Sequence, residues 1–266
     1  MTNTMAPEIR VVPKIKAHRG ASITAPENTA TAVRLAFQEG ADACEIDVRR
    51  SKDGAIVVFH DEDTKRIGGR NSLVAEQTLA ELRELDIGGW KSARYAGERI
   101  VTLAEIISFV PPGKTLFVEI KDGVEVVPNV LQAIENTPTK GRIAIESFSA
   151  EVLEAVAKVA PSLPLHMTLA AQKDSEGRPI GFPASLARRA KELGFDGLSV
   201  DVYGMTPAFA EAVRVEGLDL AVWTVNEPAM LRELRALPIT WIETDAPASI
   251  SKALLTTDQG PGDSRP

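Results

Sequence analysis

A chain of 266 residues with 44% hydrophobic content can bury a full core, and barrels of that size are commonly one domain. Its formal net charge of -7 argues against nucleic acid as the main partner, because backbone phosphates are met by clustered Lys and Arg that this chain does not show. A small anionic ligand remains compatible with that balance, since one local basic pair can hold one phosphate.

Residues 1–16 mix Pro7, Glu8, Arg10 and Pro13 with no long apolar run. That predicts neither a signal peptide nor a stable membrane anchor, and so a cytoplasmic protein. Short apolar runs then recur at 15–18, 43–48, 116–120, 142–146, 165–169, 197–200, 220–225 and 240–243. Helical patterns fall between them at 29–39, 150–159, 183–193, 207–216 and 228–237, several opening with Pro near the first turn. Such alternation, with no Gly-rich dinucleotide fingerprint, predicts an α/β fold and specifically a closed TIM (β/α)8 barrel.

One run breaks the alternation. Residues 55–60 follow 43–48 after only Lys52-Asp53-Gly54, too short for the crossover helix that a parallel neighbour needs. Asp-Gly between β-prone runs signals a hairpin, and a two-residue loop at Asp53-Gly54 sets His60 opposite Asp47, on the same face as Glu45. The stretch 61–100 is irregular, with Gly68-Gly69, a helical segment at 79–85 and Gly88-Gly89-Trp90. A long excursion at this point predicts a small cap insertion over the barrel mouth. The chain thus reads as one catalytic domain over 1–255, followed by a disordered tail at 256–266 rich in Gly, Pro, Asp and Ser. Cys44, the single cysteine, lies in an apolar strand pattern and reads as a buried structural thiol.

Polar residues then collect where barrel strands end, the face on which βα loops build active sites. His18 and Arg19 follow the first strand, Glu45 and Asp47 lie on the second, and Glu119 and Lys121 on the third. Strand alternation turns Glu45 and Asp47 to one side, and likewise Glu119 and Lys121. Three inward carboxylates repel strongly unless a cation sits among them, and hard oxygen ligands suit Mg²⁺ or Ca²⁺ rather than zinc. Two imidazoles, His18 and His60, beside such a cation are the equipment for metal-assisted acid/base cleavage of a phosphate ester. The plainer readings are structural: His166 a surface or hydrogen-bonded histidine, Lys121 a neutraliser of Glu119, Arg19 a surface charge, and Trp223 and Trp241 barrel packing.

The run His18-Arg19-Gly20-Ala21-Ser22, then Ala25-Pro26-Glu27-Asn28-Thr29, Glu45-Ile46-Asp47-Val48, Lys52-Asp53-Gly54 and His60-Asp61 resembles the glycerophosphodiester phosphodiesterases. Later echoes are Glu119-Ile120-Lys121, Ser147-Phe148, Trp223-Thr224-Val225-Asn226 and Thr244-Asp245, in the order the family requires. The resemblance implies a phospholipase C-like TIM barrel and metal-dependent hydrolysis of a glycerophosphodiester, a small-molecule substrate, to glycerol 3-phosphate and an alcohol, through a cyclic phosphate. By matching position it implies one divalent cation on Glu45, Asp47 and Glu119, His18 and His60 as acid and base, and Arg19, Lys121 and Trp223 at the substrate. Rival readings are a lysophospholipase D-like enzyme acting on lipid-like diesters and a silent barrel that only binds a phosphodiester. The chain departs from the family pattern at Thr64-Lys65-Arg66-Ile67-Gly68-Gly69, at Glu146 before Ser147, and at Glu243 before Thr244.

Overall fold

The computed structural model describes residues 12–139 and 141–256. Its strands are β1 (Lys14–Ala17), β2 (Ala43–Arg50), β3 (Ile56–Val58), β4 (Thr115–Ile120), β5 (Arg142–Ser147), β6 (Leu165–Leu169), β7 (Gly197–Asp201), β8 (Asp219–Trp223) and β9 (Trp241–Thr244). They run in the order β1-β9-β8-β7-β6-β5-β4-β2-β3, and β1 also pairs with β2. Eight parallel strands therefore close into a barrel, and β3 hangs antiparallel on β2 outside the ring. The predicted TIM barrel is the fold.

Helices α1 (Ala30–Gln38), α2 (Lys65–Gly68), α3 (Leu79–Leu82), α4 (Leu103–Ile107), α5 (Val127–Glu135), α6 (Ala150–Val159), α7 (Ser185–Glu192), α8 (Pro207–Val215), α9 (Leu231–Leu234) and α10 (Pro247–Thr256) complete the wall and the insertion. Their starts are chemically marked. Thr29, Ser149 and Thr206 each accept a backbone N–H of the first helical turn, satisfying donors that have no partner inside the helix. The helix expected at 228–237 is instead a 3-10 turn at Pro228–Met230 followed by α9, and α2, α4, α5 and α10 were not anticipated. Helix α10 ends on Thr256, the first residue of the expected tail. Residues 257–266 and most of the N-terminal stretch lie outside the described residues. Among the described residues, no helix is long and apolar enough to cross a membrane.

The hairpin corrects the expected register. Val48 pairs with Val58, and the Ser51 N–H donates to the Ala55 carbonyl at 2.9 Å, so the loop is the three residues Lys52, Asp53 and Gly54 rather than two. Gly54 sits at φ +86°, a left-handed conformation that a three-residue hairpin loop requires and glycine accepts without a Cβ clash. One extra loop residue moves the pairing by one, and Phe59, not His60, comes to face Asp47, donating its N–H to the Asp47 carbonyl at 2.9 Å.

Residues after β3 fold onto a small apolar core of their own: Val57, Phe59, Ile67, Val74, Leu82, Leu85, Ile87 and Ile100. This insertion leans on the β1–α1 loop at the barrel's C-terminal rim. Tyr95 Oη donates to the Thr24 carbonyl at 3.0 Å, Lys91 Nζ to the Ser22 carbonyl at 2.7 Å, and Arg66 to Glu27 at 2.8 Å.

Candidate active site

The β1–α1 loop begins with two residues in left-handed conformation, Arg19 at φ 55° and Gly20 at φ 85°. A Cβ on Gly20 would stand 2.6 Å from the Ala32 backbone, so only glycine permits this close approach. The bend aims the Arg19 N–H at Glu45 Oε2, 2.9 Å away, and returns the chain so that Asn28 Nδ2 donates to Asp47 Oδ2 at 2.7 Å. Strand register does the rest: Asp47 pairs with Glu119 and Glu119 with Glu146, so successive strands deliver carboxylates side by side.

Glu45, Asp47 and Glu119 are all buried, and one oxygen from each lies within 4.8 Å of the others. Lys121 Nζ stands 3.0 Å from Asp47 and also bonds Glu119, while Arg19 Nε stands 3.2 Å from Asp47. Burial works against the Asp47 charge, but Lys121 and Arg19 outweigh it and hold its pKa at about 2. Burial and the neighbouring Asp47 charge push Glu45 and Glu119 the other way, above the usual carboxylate range. Among the described residues, Glu45 Oε1 is buried with no hydrogen-bond partner. The set is therefore short of positive charge and carries a bare oxygen, which is the deficit a divalent cation with oxygen ligands removes. Lys121 spans two carboxylates rather than one, and Arg19 is largely buried against three, so neither is the surface or single-pair charge of the plainer reading.

Both histidines are backed by carboxylates. His18 Nδ1 stands 2.7 Å from Asp245 Oδ1, and His60 Nδ1 stands 2.8 Å from Asp61 Oδ1. An ionised carboxylate accepts only, so each Nδ1 carries the proton and each Nε2 is left for the mouth. Burial disfavours the charged ring in both. At His18 the hydrogen bond to Asp245 overrides burial and raises the pKa, whereas at the more open His60 burial prevails and lowers it. Asp245 is further fixed by Ser22 Oγ at 2.8 Å and Asn226 Nδ2 at 2.7 Å. His60 gets to this place although the strand register points elsewhere: the ladder stops at Val58, and Arg49 Nε holds the His60 carbonyl at 2.9 Å.

His18, Arg19, His60, Glu119, Lys121, Phe148, Thr168, Ser199, Trp223 and Glu243 line one cavity of about 250 Å³. Glu45 and Asp47 are buried and adjoin the lining residue Glu119. Trp223, expected as packing on spacing alone, is half-buried here with Nε1 unpartnered and its ring edge-on to Phe148. Trp241 is core, as expected. His166 is not a surface residue: it is 2% exposed and packs edge-on to Phe117, and among the described residues its Nδ1 makes no hydrogen bond, the Glu146 carboxylate standing 3.8 Å away. Sequence reasoning assigned no role to Asp245, Asn28, Ser199 or Lys16. A lysine inside the apolar run Ile15-Lys16-Ala17 was the available signal for Lys16, because only an interior partner keeps such a charge buried.

A bed of carboxylates fit for a dication, two fixed positive side chains and two carboxylate-backed imidazoles around one small cavity are groups whose chemistry suits an anionic ester. This chain belongs to the Glycerophosphoryl diester phosphodiesterase family, which it matches over residues 18–249. It is 31% identical over 239 residues to the glycerophosphodiester phosphodiesterase of Caldanaerobacter subterraneus, covering 88% of this chain and 94% of that one. Among solved structures it is similar to an Oleispira antarctica phosphodiesterase in complex with the product sn-glycerol-3-phosphate, with a TM-score of 0.83, 26% identity, and 91% and 97% of the two chains covered. A glycerophosphodiester phosphodiesterase from Thermotoga maritima gives a TM-score of 0.71 at 28% identity, covering 90% and 97%.

Proposed function

We propose that the protein hydrolyses small glycerophosphodiesters to glycerol 3-phosphate and an alcohol, with the proton transfers carried by His18 and His60. The observation that carries this reading is the single cavity into which both imidazoles, Arg19 and Lys121 open. Glu45, Asp47 and Glu119 would hold a divalent cation, Mg²⁺ or Ca²⁺, which would supply positive charge near the phosphoryl group. Arg19 and Lys121 hold those oxygens in place and stabilise charge that grows toward the transition state. Trp223 lines the substrate's carbon frame. One imidazole takes a proton from the attacking hydroxyl and the other gives one to the leaving alcohol. Asp245 and Asp61 each stabilise the imidazolium that results, so the two rings can exchange roles in the second half of the reaction.

The attacking group is the substrate's own vicinal glycerol hydroxyl, which closes a cyclic phosphate that water then opens. Proximity favours this route, because a hydroxyl already held near phosphorus avoids the entropy of capturing a separate water. A diester lacking the glycerol 2-hydroxyl tests it: that analogue binds competitively and is not turned over. Cleavage at a rate near the parent's contradicts the cyclic route. Exposure of Phe148 and Tyr203 on mouth loops favours, as a second reading, a diester with a longer apolar alcohol. Comparing glycerophosphocholine with its lysophospholipid counterpart, each with Mg²⁺ and with Ca²⁺, decides between the two.

A further inference from the structure

Beneath the cavity floor lies a charged group that the reaction above does not use. Lys16, fully buried, donates from Nζ to Glu146 Oε1 at 2.7 Å and to Ser199 Oγ at 3.3 Å, and pairs with Glu243 Oε2 at 2.7 Å. Ser199 Oγ in turn donates to the same Glu243 oxygen at 3.3 Å. Burial opposes the Lys16 charge, yet Glu146 and Glu243 raise its pKa and keep it ionised. These contacts fasten Oε2 of Glu243. Among the described residues nothing bonds its Oε1, and Glu243 lines the cavity.

Two neighbours are fastened in the same way. Among the described residues, Asp245 holds His18 by Nδ1 and leaves Nε2 free, and the Arg19 N–H holds Glu45 by Oε2 and leaves Oε1 buried without a partner. One ligand atom from each of His18, Glu45 and Glu243 lies within 4.8 Å of the other two. Each of the three is thus locked by a partner on one atom and left bare on another, the arrangement by which outer hydrogen bonds orient metal ligands. The bare buried oxygen of Glu45 is what separates this group from an ordinary acidic cluster.

We propose that His18, Glu45 and Glu243 form a second cation position, beside the all-oxygen set and sharing Glu45 with it, that takes a borderline transition-metal dication of the zinc type and inhibits the enzyme. Ligand chemistry assigns the ion. Imidazole with two carboxylates and an open fourth position is a zinc-like donor set, whereas Mg²⁺ and Ca²⁺ prefer oxygen throughout. Glu45 belongs to both groups, and one carboxylate can serve two cations, as shared carboxylates do in two-metal sites. An ion on His18 Nε2 occupies the lone pair that would accept a proton. The inhibition rests on the proposed role of His18; the binding does not.

The test is equilibrium dialysis of the full chain, saturated with Mg²⁺, against Zn²⁺, with both metals counted. One equivalent of Zn²⁺ binds without displacing Mg²⁺. Glu243→Gln weakens Zn²⁺ by about tenfold or more and leaves Mg²⁺ in place, while Asp47→Asn does the reverse. His18→Asn, which leaves the Lys16 pairs intact, loses Zn²⁺ in the same way, so an unfolded Glu243→Gln would not shelter the idea. With substrate, Zn²⁺ inhibits the parent enzyme, and Glu243→Gln needs correspondingly more. Displacement of Mg²⁺ one for one by Zn²⁺, or a Zn²⁺ affinity unchanged in both variants, overturns the proposal. Dialysis uses no substrate, so a failure of the phosphodiesterase reading would leave its result standing.

Discussion

At the scale of single residues, the mouth is governed by unequal neighbours rather than by residue type. Asp47, Glu45 and Glu119 are alike in burial, yet Asp47 alone receives both Lys121 and Arg19 and stays ionised with a pKa of about 2. Removing Asp47 or Glu45 takes away a proposed ligand and also strands a cationic side chain or a backbone donor. Asp47→Ala and Glu45→Ala are therefore expected to lose Mg²⁺ or Ca²⁺ binding together with turnover, checked by calorimetric titration beside an assay. Excess chelator should abolish activity of the parent, and full activity in chelator would contradict a cation on these carboxylates. His18→Ala and His60→Ala should each lower kcat by roughly 10²-fold or more, with the double variant little worse than either single, because one relay needs both ends. A near-normal kcat in His60→Ala would remove it from the chemistry.

At the scale of elements, the hairpin and insertion decide where His60 stands. A three-residue loop gave the β2–β3 ladder a register that turns His60 away from Asp47, and the early end of the ladder at Val58 brings it back. Gly54→Ala should cost about 1 kcal/mol, through its left-handed backbone rather than through lost contacts, and urea midpoints measure it. Leu82 is fully buried in the insertion's own core, and Leu82→Ala is expected to cost about 2–5 kcal/mol of local stability. Hydrogen exchange should show the loss of protection within residues 57–100 and leave the barrel strands protected; loss spread evenly over the barrel would mean that the insertion has no separate core.

At the scale of the whole molecule, the barrel interior carries charge where barrels usually carry apolar layers. Lys16, Glu146, Glu243 and His166 fill it beside Phe117 and Trp241. Burial, with Lys16 nearby, depresses the His166 pKa from 6.5 to about 3. In that window the unfolded chain binds a proton that the folded chain refuses, so the stability contributed by His166 is full above pH 6.5 and is lost as pH drops toward 3. Asp61, held at about 2 by Arg66 and His60 against burial, adds a loss that begins only below its ordinary 3.8. Glu146 works the other way, since burial pushes its pKa up to about 7 and its protonation favours the fold as pH falls, so His166 is read by difference: between pH 7.5 and pH 5 the urea midpoint of His166→Gln should drop less, or rise more, than the parent's, and an equal change in both would place the acid sensitivity elsewhere.

The sequence by itself determined the barrel, because the alternation of apolar strand runs with capped helices is local information: Ser149 before α6 and Thr206-Pro207 before α8 carry their own start signals. It also determined most of the mouth, since strand parity alone turns Glu45 with Asp47 and Glu119 with Lys121, and the family motifs fix their order. What only the tertiary structure decided is every relation between distant segments. The hairpin register depended on one loop residue that no periodicity reports. Asp245 reaches His18 only because β9 closes against β1. The partners of Lys16 come from β5, β7 and β9, strands far apart in sequence. A buried charge announces that a partner must exist, but only ring closure selects which strands supply it.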